Sequence, residues 1–569
     1  MVFVFEFQGT EETRCIRMEV TPDIDLTGLL NMKNLRCLIV NYATVGSSYS
    51  DYVRDNHKVC KYLPNAIRYL CWRRYPHRRL PKISGANNLV TLEISDSKIE
   101  QLWEGGMDMR KLKYLVLHNT YCLRTCDLGL FPNLESLYLL GCRKLVELRA
   151  PTGCLKRLVY LSICRCKRLR SLSFIKHLEP LQFLKLTGRN HKEFPDIIPA
   201  DSNSSLRGLH IYGSEIAELP SSIENLFKLV YLNLEHCGNL KSLPRSFCSL
   251  QRFKVIRLDY CDIEELPGDL GKLEHLEELS LKRCTLVKHL PDSICKLKNL
   301  KTLTLHSSNF LEKLPDDLGQ LESLEVLDLA KCRGLRDIPR SICIMKHLKS
   351  IILEGCQALE KLPEDVGQLE SLEKLDLSYC KCLRDLPSSI CKLKHLTSII
   401  LQGCVGLEKL PDDLGKLESL EVLNLTDCNK IRDIPGSICK LKHLKTLNLQ
   451  WCEKIDNLPE ELGDLECLKE LNIDYTSISQ LPRNISLLGH LQRKRERLTE
   501  SSFVSAAGMK PIGGPARKLE IKGLVMAGQN ERRFIIIIFL SMRFCMIFLC
   551  MFICVLIYAL IYQYSLYIF

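Results

Sequence analysis

A leucine or isoleucine followed by proline recurs along most of the second half of the chain. The proline stands at positions 220, 244, 267, 291, 315, 339, 363, 387, 411, 435, 459 and 482, so nearly every interval is 24 residues. Self-similarity at a fixed period in this range is typical of solenoids, in which each unit packs only against its neighbours. The period therefore constrains the fold more than any other feature of the 569 residues.

One unit, residues 410–433, shows what each half of the repeat does: LPDDLGKLESLEVLNLTDCNKIRD. Its LNL segment predicts a short strand, with leucines on one side and the residues between them on the other. Its LPDDLGKLESL segment has apolar residues three apart, which suits a helical or 3₁₀ turn. The pattern predicts an α/β leucine-rich repeat solenoid, a horseshoe with a parallel concave sheet and short convex turns.

The periodic part divides the chain. Counting LxxLxL-like segments predicts about nineteen strands. We expect a lead-in segment over residues 1–34, the solenoid over 35–491, a polar linker over 492–533 and a hydrophobic tail over 534–569. Residues 544–562 of the tail carry no charge for 19 residues, close to the roughly 20 that a membrane-spanning helix needs.

Two interpretations of the tail remain open. Arginines ahead of it favour a tail anchor that leaves the repeats on the cytosolic side. Alternatively, such a mixture of Ile, Phe, Tyr, Leu, Met and Cys arises when AT-rich noncoding sequence is translated past a missed splice site. The start, MVFVFEFQGTEETRC, lacks the basic n-region of a secretory signal. The cytoplasm is therefore the expected compartment, with the thiols reduced.

A second period of 48 residues lies inside the first. Units with an acidic turn, such as GKLESLE, alternate with basic ones, such as CKLKHLK. Glu322, for example, stands 24 residues before Lys346. We therefore expect opposite charges side by side on neighbouring convex turns, which favours one stacking register.

More than half of the 29 cysteines follow the repeat. Sixteen occupy two fixed places of the unit: Cys142, Cys166, Cys237, Cys261, Cys284, Cys332, Cys356, Cys380, Cys404, Cys428 and Cys452 in one, and Cys248, Cys295, Cys343, Cys391 and Cys439 in the other. No C-x-x-C motif occurs, and no histidines interleave the ladder as zinc sites require. Free cysteine behaves as a small buried hydrophobe, so we expect a structural role.

Catalytic motifs are not found. The pairs Gly271-Lys272 and Gly415-Lys416 are followed by leucine, so neither completes a phosphate-binding loop. No H-E-x-x-H, G-x-S-x-G or kinase signature occurs. We expect a protein without enzymatic activity and without a cofactor or metal.

The concave wall is chemically varied where the core is uniform, which favours recognition of a protein partner. Exposed aromatic residues beside polar ones are typical contact anchors. Isoleucines also stand where neighbouring units carry Asp or Asn. The candidate partner-binding residues are Trp451, Tyr475, Tyr379, Ile352, Ile400, Asn448 and Gln450.

Basic stretches mark the early repeats, at residues 57–82 and 154–170. They suit either a docking surface for an acidic partner or neighbouring domain, or a solvated face. No helix-turn-helix, finger or RNP pattern accompanies the charge, so nucleic acid is not an expected partner.

The early repeats carry the most specific phrases. LPNAIRYLCWRRYPHRRLP, residues 63–81, and LVTLEISDSKIEQLWEG, residues 89–105, resemble the first repeats of plant intracellular immune receptors of the TIR-type nucleotide-binding, leucine-rich repeat family. FQGTEETRCIRMEV, residues 7–20, and MKNLRCLIV, residues 32–40, resemble that family's passage into its repeats.

The resemblance implies a repeat domain that senses pathogen effectors or guarded host proteins and restrains a nucleotide-switched module. It further implies that Arg73, Arg74, Arg78 and Arg79 face that module. No TIR domain or nucleotide-binding motif stands in this sequence, so NAD cleavage and ATP or ADP binding are not carried over. We expect a truncated receptor or a fragment of one.

Two other functions stay open. The repeats could serve a cytosolic or tail-anchored adaptor without an immune role. They could also belong to an extracellular receptor-like protein, for which Asn203 and Asn484 offer glycosylation sequences. Against the latter stand the missing signal peptide and the cysteine-and-LP repeat, where secreted plant repeats usually show Asn and a GxIP turn.

Overall fold

The structure is a computed structural model that describes residues 13–20, 29, 31–42, 62–80, 82–83, 88–102, 109–188, 193–200, 204–488 and 492–494. The chain divides into two units, 1–502 and 503–569. The hydrophobic tail and nearly all of the expected linker lie outside the described residues. Both interpretations of the tail therefore remain predictions from the sequence.

A single parallel sheet of 21 strands runs through the described part of the first unit, and each strand pairs with the next along the chain. This confirms the predicted solenoid. The strands are Cys15–Val20, Cys37–Tyr42, Tyr69–Arg73, Thr91–Ser95, Tyr114–His118, Ser136–Leu140, Tyr160–Cys164, Phe183–Thr187, Gly208–Tyr212, Tyr231–Asn233, Val255–Arg257, Glu278–Ser280, Thr302–Thr304, Val326–Asp328, Ser350–Ile352, Lys374–Asp376, Ser398–Ile400, Val422–Asn424, Thr446–Asn448, Glu470–Asn472 and Gln492–Lys494.

The sheet has one strand before and one strand after the ladder counted in the sequence. Cys15–Val20 lies in the expected lead-in, and Gln492–Lys494 lies at the start of the expected linker. The first strand alternates exposed and buried residues, as a half-buried strand does. It buries Ile, Met and Val in place of leucine, so it lacks the LxxLxL signature. Two small parallel sheets flank the main one, Thr125–Asp127 with Glu147–Arg149 and Tyr62–Leu63 with Lys82–Ile83.

The core is the stack of apolar side chains between the sheet and the turns. In the unit around Leu401, the inward side chains Ile399 and Leu401 and the turn side chain Leu414 are fully buried. Each unit repeats this arrangement, so one continuous core extends through the described part of the solenoid. Stacking is what buries it, because a single unit has no second apolar layer of its own.

The convex turns are 3₁₀-helices, and within the described ranges no α-helix occurs. The expected "helical or 3₁₀" turn is thus resolved to 3₁₀. Turns of five residues are Ser173–His177, Ser221–Asn225, Arg245–Ser249, Asp292–Lys296, Arg340–Ile344, Ser388–Lys392, Gly436–Lys440, Glu460–Asp464 and Arg483–Leu487. Turns of three residues are Leu128–Leu130, Leu270–Lys272, Leu318–Gln320, Val366–Gln368 and Leu414–Lys416.

The 48-residue period appears as an alternation of turn types. A turn of three residues, such as Val366–Gln368, is followed by one of five, such as Ser388–Lys392. The Gly367 N–H donates to Ser389 Oγ at 3.2 Å, and a Cβ on Gly367 would lie closer than 3.0 Å to the Ser389 carbonyl oxygen. Glycine is therefore required for this close approach, which joins the units in pairs on the convex side.

Opposite charges on neighbouring units do meet, but with partly different partners from those expected. Glu322 pairs with Lys298 of the preceding unit at 2.7 Å, rather than with Lys346. Nearer the strands, Lys349 Nζ lies 2.8 Å from Glu325 Oε2. Exposed pairs of this kind contribute little to stability, but they favour the native register over a shifted one.

In the described part of the chain, no helix is long and apolar enough to span a bilayer.

Candidate functional site

The carboxyl end of the concave sheet is organised by one residue with a left-handed backbone in each of eighteen successive units. We call this set the left-handed row: Arg74, Asp96, Asn119, Gly141, Arg165, Gly188, Gly213, His236, Tyr260, Arg283, Ser307, Lys331, Gly355, Tyr379, Gly403, Asp427, Trp451 and Tyr475. Backbone N–H groups of the row donate to a carbonyl of the next unit, as Trp451 does to Asp474 at 2.9 Å. Those bonds fix the row at the rim of the concave face.

Side chains of the row lean over the following unit. The ring of Tyr379 covers Gly403, where an added Cβ would meet the ring closer than 3.0 Å. Lys331 covers Gly355 in the same way, 3.1 Å from the place of a Cβ. A bulky side chain in the row therefore lies across its own unit and the next one. In these two cases the next unit has glycine at the same place, which leaves space for that side chain.

Trp451 and Tyr475 come together as the sequence predicts for neighbouring anchors. Their ring centroids are 3.8 Å apart, and the planes are inclined by 5°, so the rings stack. Both remain exposed, Trp451 to 42% and Tyr475 to 46%. The two rings form a flat aromatic surface at the rim, which we call the aromatic shelf.

The backbone of the shelf is unfavourable for these residue types. The φ angles are 64° at Trp451 and 59° at Tyr475. Left-handed conformations cost residues with a Cβ roughly 1–2 kcal/mol, and glycine avoids that cost. Glycine fills this place in other units, so the repeat itself does not require aromatic rings here.

Tyr379 lies on the same rim at a distance from the shelf. Its ring is 41% exposed, and its hydroxyl accepts a hydrogen bond from Gln402 Nε2 at 2.8 Å. Three units separate it from Trp451, which corresponds to roughly 14 Å at the spacing of neighbouring strands. A partner that covers both would cross four successive units.

Asn448 has a structural role in addition to its position on the concave face. Its Oδ1 accepts the Gln450 N–H at 3.0 Å and so ends the strand with an Asx turn. The Gln450 carbonyl accepts from Asp427 of the left-handed row at 2.7 Å. These two candidates therefore support the rim just before Trp451.

Ile352 and Ile400 occupy the place that Asn448 holds in its unit. In the sheet they alternate with polar neighbours, Ile352 between Asp328 and Asp376, and Ile400 between Asp376 and Asn424. Both isoleucines are half-buried. They contribute small apolar patches to the wall and have no side-chain acceptor for an Asx turn.

A longer aromatic stack, which was not predicted from the sequence, lies in the middle of the chain. Tyr212 and His236 have centroids 4.8 Å apart, and His236 and Tyr260 stack at 4.1 Å. The Arg283 guanidinium lies 5.3 Å from the Tyr260 centroid, and His210 stacks beside Tyr212 at 6.2 Å. The spacing of 24 residues from Tyr212 to His236 and on to Tyr260 was the available signal.

His210, at one end of that stack, is neutral at physiological pH. Burial lowers its pKa to about 4, and the nearby positive charges of Lys185 and Arg257 act in the same direction. Arg257 itself is held by Glu278, with Nε 2.7 Å from Oε1. Side chains on the concave wall of these units are therefore held together by stacking and by an ion pair.

The arginines implied to dock a neighbouring module already have partners within the chain. Arg73 lies 3.6 Å from Asp96, and Arg78 lies 3.7 Å from Glu100. Arg74 Nη1 donates to the Tyr42 carbonyl at 3.1 Å. The Arg79 carbonyl accepts from the Tyr75 hydroxyl at 2.7 Å. Their docking role stays a prediction, with part of the charge balanced internally.

The cysteine ladder is structural, as predicted. Cys404 is fully buried and its thiol donates to the Leu377 carbonyl of the preceding unit at 3.0 Å. Burial raises its pKa to about 12. Ser308 takes the place of cysteine in its unit and donates to the Leu281 carbonyl in the same manner at 3.4 Å. All cysteines of the described residues are free thiols.

The described residues contain no group of three or more His, Cys, Asp or Glu placed to hold a metal ion.

Comparisons with known proteins fit this geometry. Residues 232–338, 324–434 and 421–495 match the family described as a leucine-rich repeat region. A leucine-rich repeat protein of Leptospira interrogans is 30% identical, with a TM-score of 0.52; the match covers 60% of this chain and 83% of that one.

Plant proteins match over shorter segments. The chain is 38% identical over 240 residues to the disease resistance protein RPP2A of Arabidopsis thaliana. It is 36% identical over 176 residues to the disease resistance protein RPP4 of the same plant. The segments are 42% and 31% of this chain, but only 18% and 15% of those relatives. The resemblance to plant disease resistance proteins is thereby confirmed for the repeat region.

Proposed function

The chain belongs to the leucine-rich repeat proteins, and on that premise we propose that its concave rim is the recognition surface of a plant disease resistance-like protein. The ligand would be a protein, either a pathogen effector or a host protein that the receptor guards. The surface binds and does not transform its partner. The defence role rests on the similarity of the repeats to plant disease resistance proteins.

The aromatic shelf is the observation that carries this proposal. Trp451 and Tyr475 keep more than two fifths of their surface exposed in a backbone conformation that glycine would adopt at lower cost. Large aromatic side chains are enriched among the residues that dominate protein interfaces. A pair that is strained, exposed and stacked is therefore well suited to a partner's contact surface.

The cellular setting is proposed with the function. A cytoplasmic repeat domain fits the reduced thiols of the ladder, because disulfides are rare in that compartment. A nucleotide-binding module remains a proposed neighbour of the early arginines. Attachment to a membrane through residues 534–569 rests on their sequence alone.

The test compares three forms of the full chain in plant tissue, with and without infection. The forms are wild type, the double variant Trp451→Ala with Tyr475→Ala, and the convex control Lys440→Ala. If the proposal is correct, an effector recovered only from infected tissue, or a guarded host protein recovered from either tissue, associates with the wild type and the control but not with the double variant. Association that is unaffected by the double variant would contradict it.

A further inference from the structure

The aromatic shelf stands in an acidic part of a basic protein. From Trp451 to Tyr475 the chain has eight acidic residues against two lysines, a net charge of −6, whereas the whole chain carries +12. Three of the eight, Glu460, Glu461 and Asp464, lie on the convex turn, so the negative charge on the side of the shelf is smaller. Negative charge raises the concentration of cationic groups near a surface. The shelf therefore favours a positively charged ligand.

An internal comparison shows what the chain does with another stack on the same rim. The pair His236 and Tyr260 is completed by Arg283, whose guanidinium lies over the tyrosine ring. Among the described residues, no cation lies over Trp451 or Tyr475. The fold thus supplies a guanidinium to one aromatic pair and leaves the other pair without one.

Two carboxylates stand next to the shelf. Asp474 is tied to it, since its carbonyl accepts the Trp451 N–H at 2.9 Å. Its Oδ1 is buried and has no hydrogen-bond partner in the described structure. Asp427 is the left-handed residue of the unit before Trp451. Oδ1 itself is closed to an external donor, but a positive charge beside the half-buried Asp474 carboxylate would offset the cost of burying it.

We infer that the aromatic shelf binds an arginine or lysine side chain from a basic polypeptide segment. The cation would lie on the exposed part of the stacked rings, where the negative π face attracts it, and pair with Asp474 or Asp427. This inference rests on the proposed function and gives the partner a chemical character. It adds that the contact segment is positively charged.

A direct assay uses a fluorescein-labelled peptide, Gly-Arg-Gly-Lys-Gly-Arg-Gly, and the full chain, with binding followed by fluorescence anisotropy. A matched peptide has citrulline for arginine and glutamine for lysine, which removes the charges. We expect the basic peptide to bind more tightly than the neutral one. We also expect Trp451→Ala to weaken the basic peptide about three- to thirtyfold.

Matched variants assign the effect to the shelf. Trp451→Phe retains a ring and should restore most of the affinity, and Asp474→Asn should reduce it while keeping the side chain's shape. Tyr260→Ala is the control, because Arg283 already occupies that stack. Circular dichroism verifies that each variant is folded.

Equal binding of the two peptides, or equal loss in the Trp451→Ala and Tyr260→Ala variants, would overturn the inference. Its failure can be separated from failure of the proposed function. If the double variant of Trp451 and Tyr475 loses its infection-dependent partner while the peptides bind alike, recognition stands and only the cationic character of the partner is refuted.

Discussion

Replacing Gly367 with alanine should open the convex side of the solenoid locally. The new Cβ would meet the Ser389 carbonyl oxygen closer than 3.0 Å, and the bond from the Gly367 N–H to Ser389 Oγ would stretch with the displaced turn. Overpacking of a rigid site costs about 1–3 kcal/mol, and a lost hydrogen bond about 0.5–1.5 kcal/mol. We therefore expect a local loss of roughly 2–4 kcal/mol.

Hydrogen exchange measured by mass spectrometry resolves this change, since solenoids lose stability unit by unit and a single global midpoint is poorly defined. Amides of the turn Ser388–Lys392 should exchange roughly thirty- to several-hundredfold faster in Gly367→Ala. Gly436→Ala is the matched control, because no atom lies within 4 Å of the Cβ it would add. Equal exchange in the two variants would refute the paired-turn argument.

Further predictions concern the ladder and the rim. Cys404→Ala should lower the free energy of local unfolding by about 1–2 kcal/mol, measured by hydrogen exchange, because it loses the bond to Leu377 and leaves a cavity. Cys404→Ser should retain more of that free energy, because it places a hydroxyl where Ser308 has one in its unit. Burial raises the pKa of Cys404 to about 12 from 9.0, so this thiol stabilises the fold fully below pH 9 and loses that contribution as pH rises toward 12. Alkylation at pH 8 should accordingly modify the exposed Cys382 and spare Cys404, and rapid labelling of both would contradict its burial. Asn448→Ala should lower local stability by about 1 kcal/mol, because the Gln450 N–H loses its acceptor, and Asn448→Asp should restore that stability. If hydrogen exchange at Gln450 is unchanged in both variants, the Asx turn does not stabilise the strand end.

Repetition is the reason that most of the fold follows from the sequence. Each unit buries the same leucines in the same places, so the strand positions and the inward cysteines could be assigned by counting. Counting failed at the two ends. Cys15–Val20 and Gln492–Lys494 pair with the sheet through backbone hydrogen bonds, which do not need the LxxLxL pattern.

The rim was less accessible to sequence reasoning. Trp451 and Tyr475 were found because their spacing equals the repeat, and equal spacing places residues side by side on a solenoid. The left-handed backbone of the rim could not be inferred, since tryptophan and tyrosine rarely adopt it. The direction in which side chains lean depends on that backbone. The stack around His236 was therefore missed, although its spacing was visible.

The early arginines illustrate a different limit. A run of positive charge in the sequence does not reveal which acids the fold will place beside it. Asp96 and Glu100 are more than twenty residues from Arg73 and Arg78, and only the stacking of units joins them.

The central claim is that a protein partner is recognised at the aromatic shelf. Its most direct test is the affinity of a partner recovered from infected tissue for the wild type and for the double variant Trp451→Ala with Tyr475→Ala, measured by surface plasmon resonance. The account predicts a loss of at least tenfold, because exposed aromatic anchors of this kind contribute about 2 kcal/mol or more. An unchanged affinity for a folded double variant would contradict it.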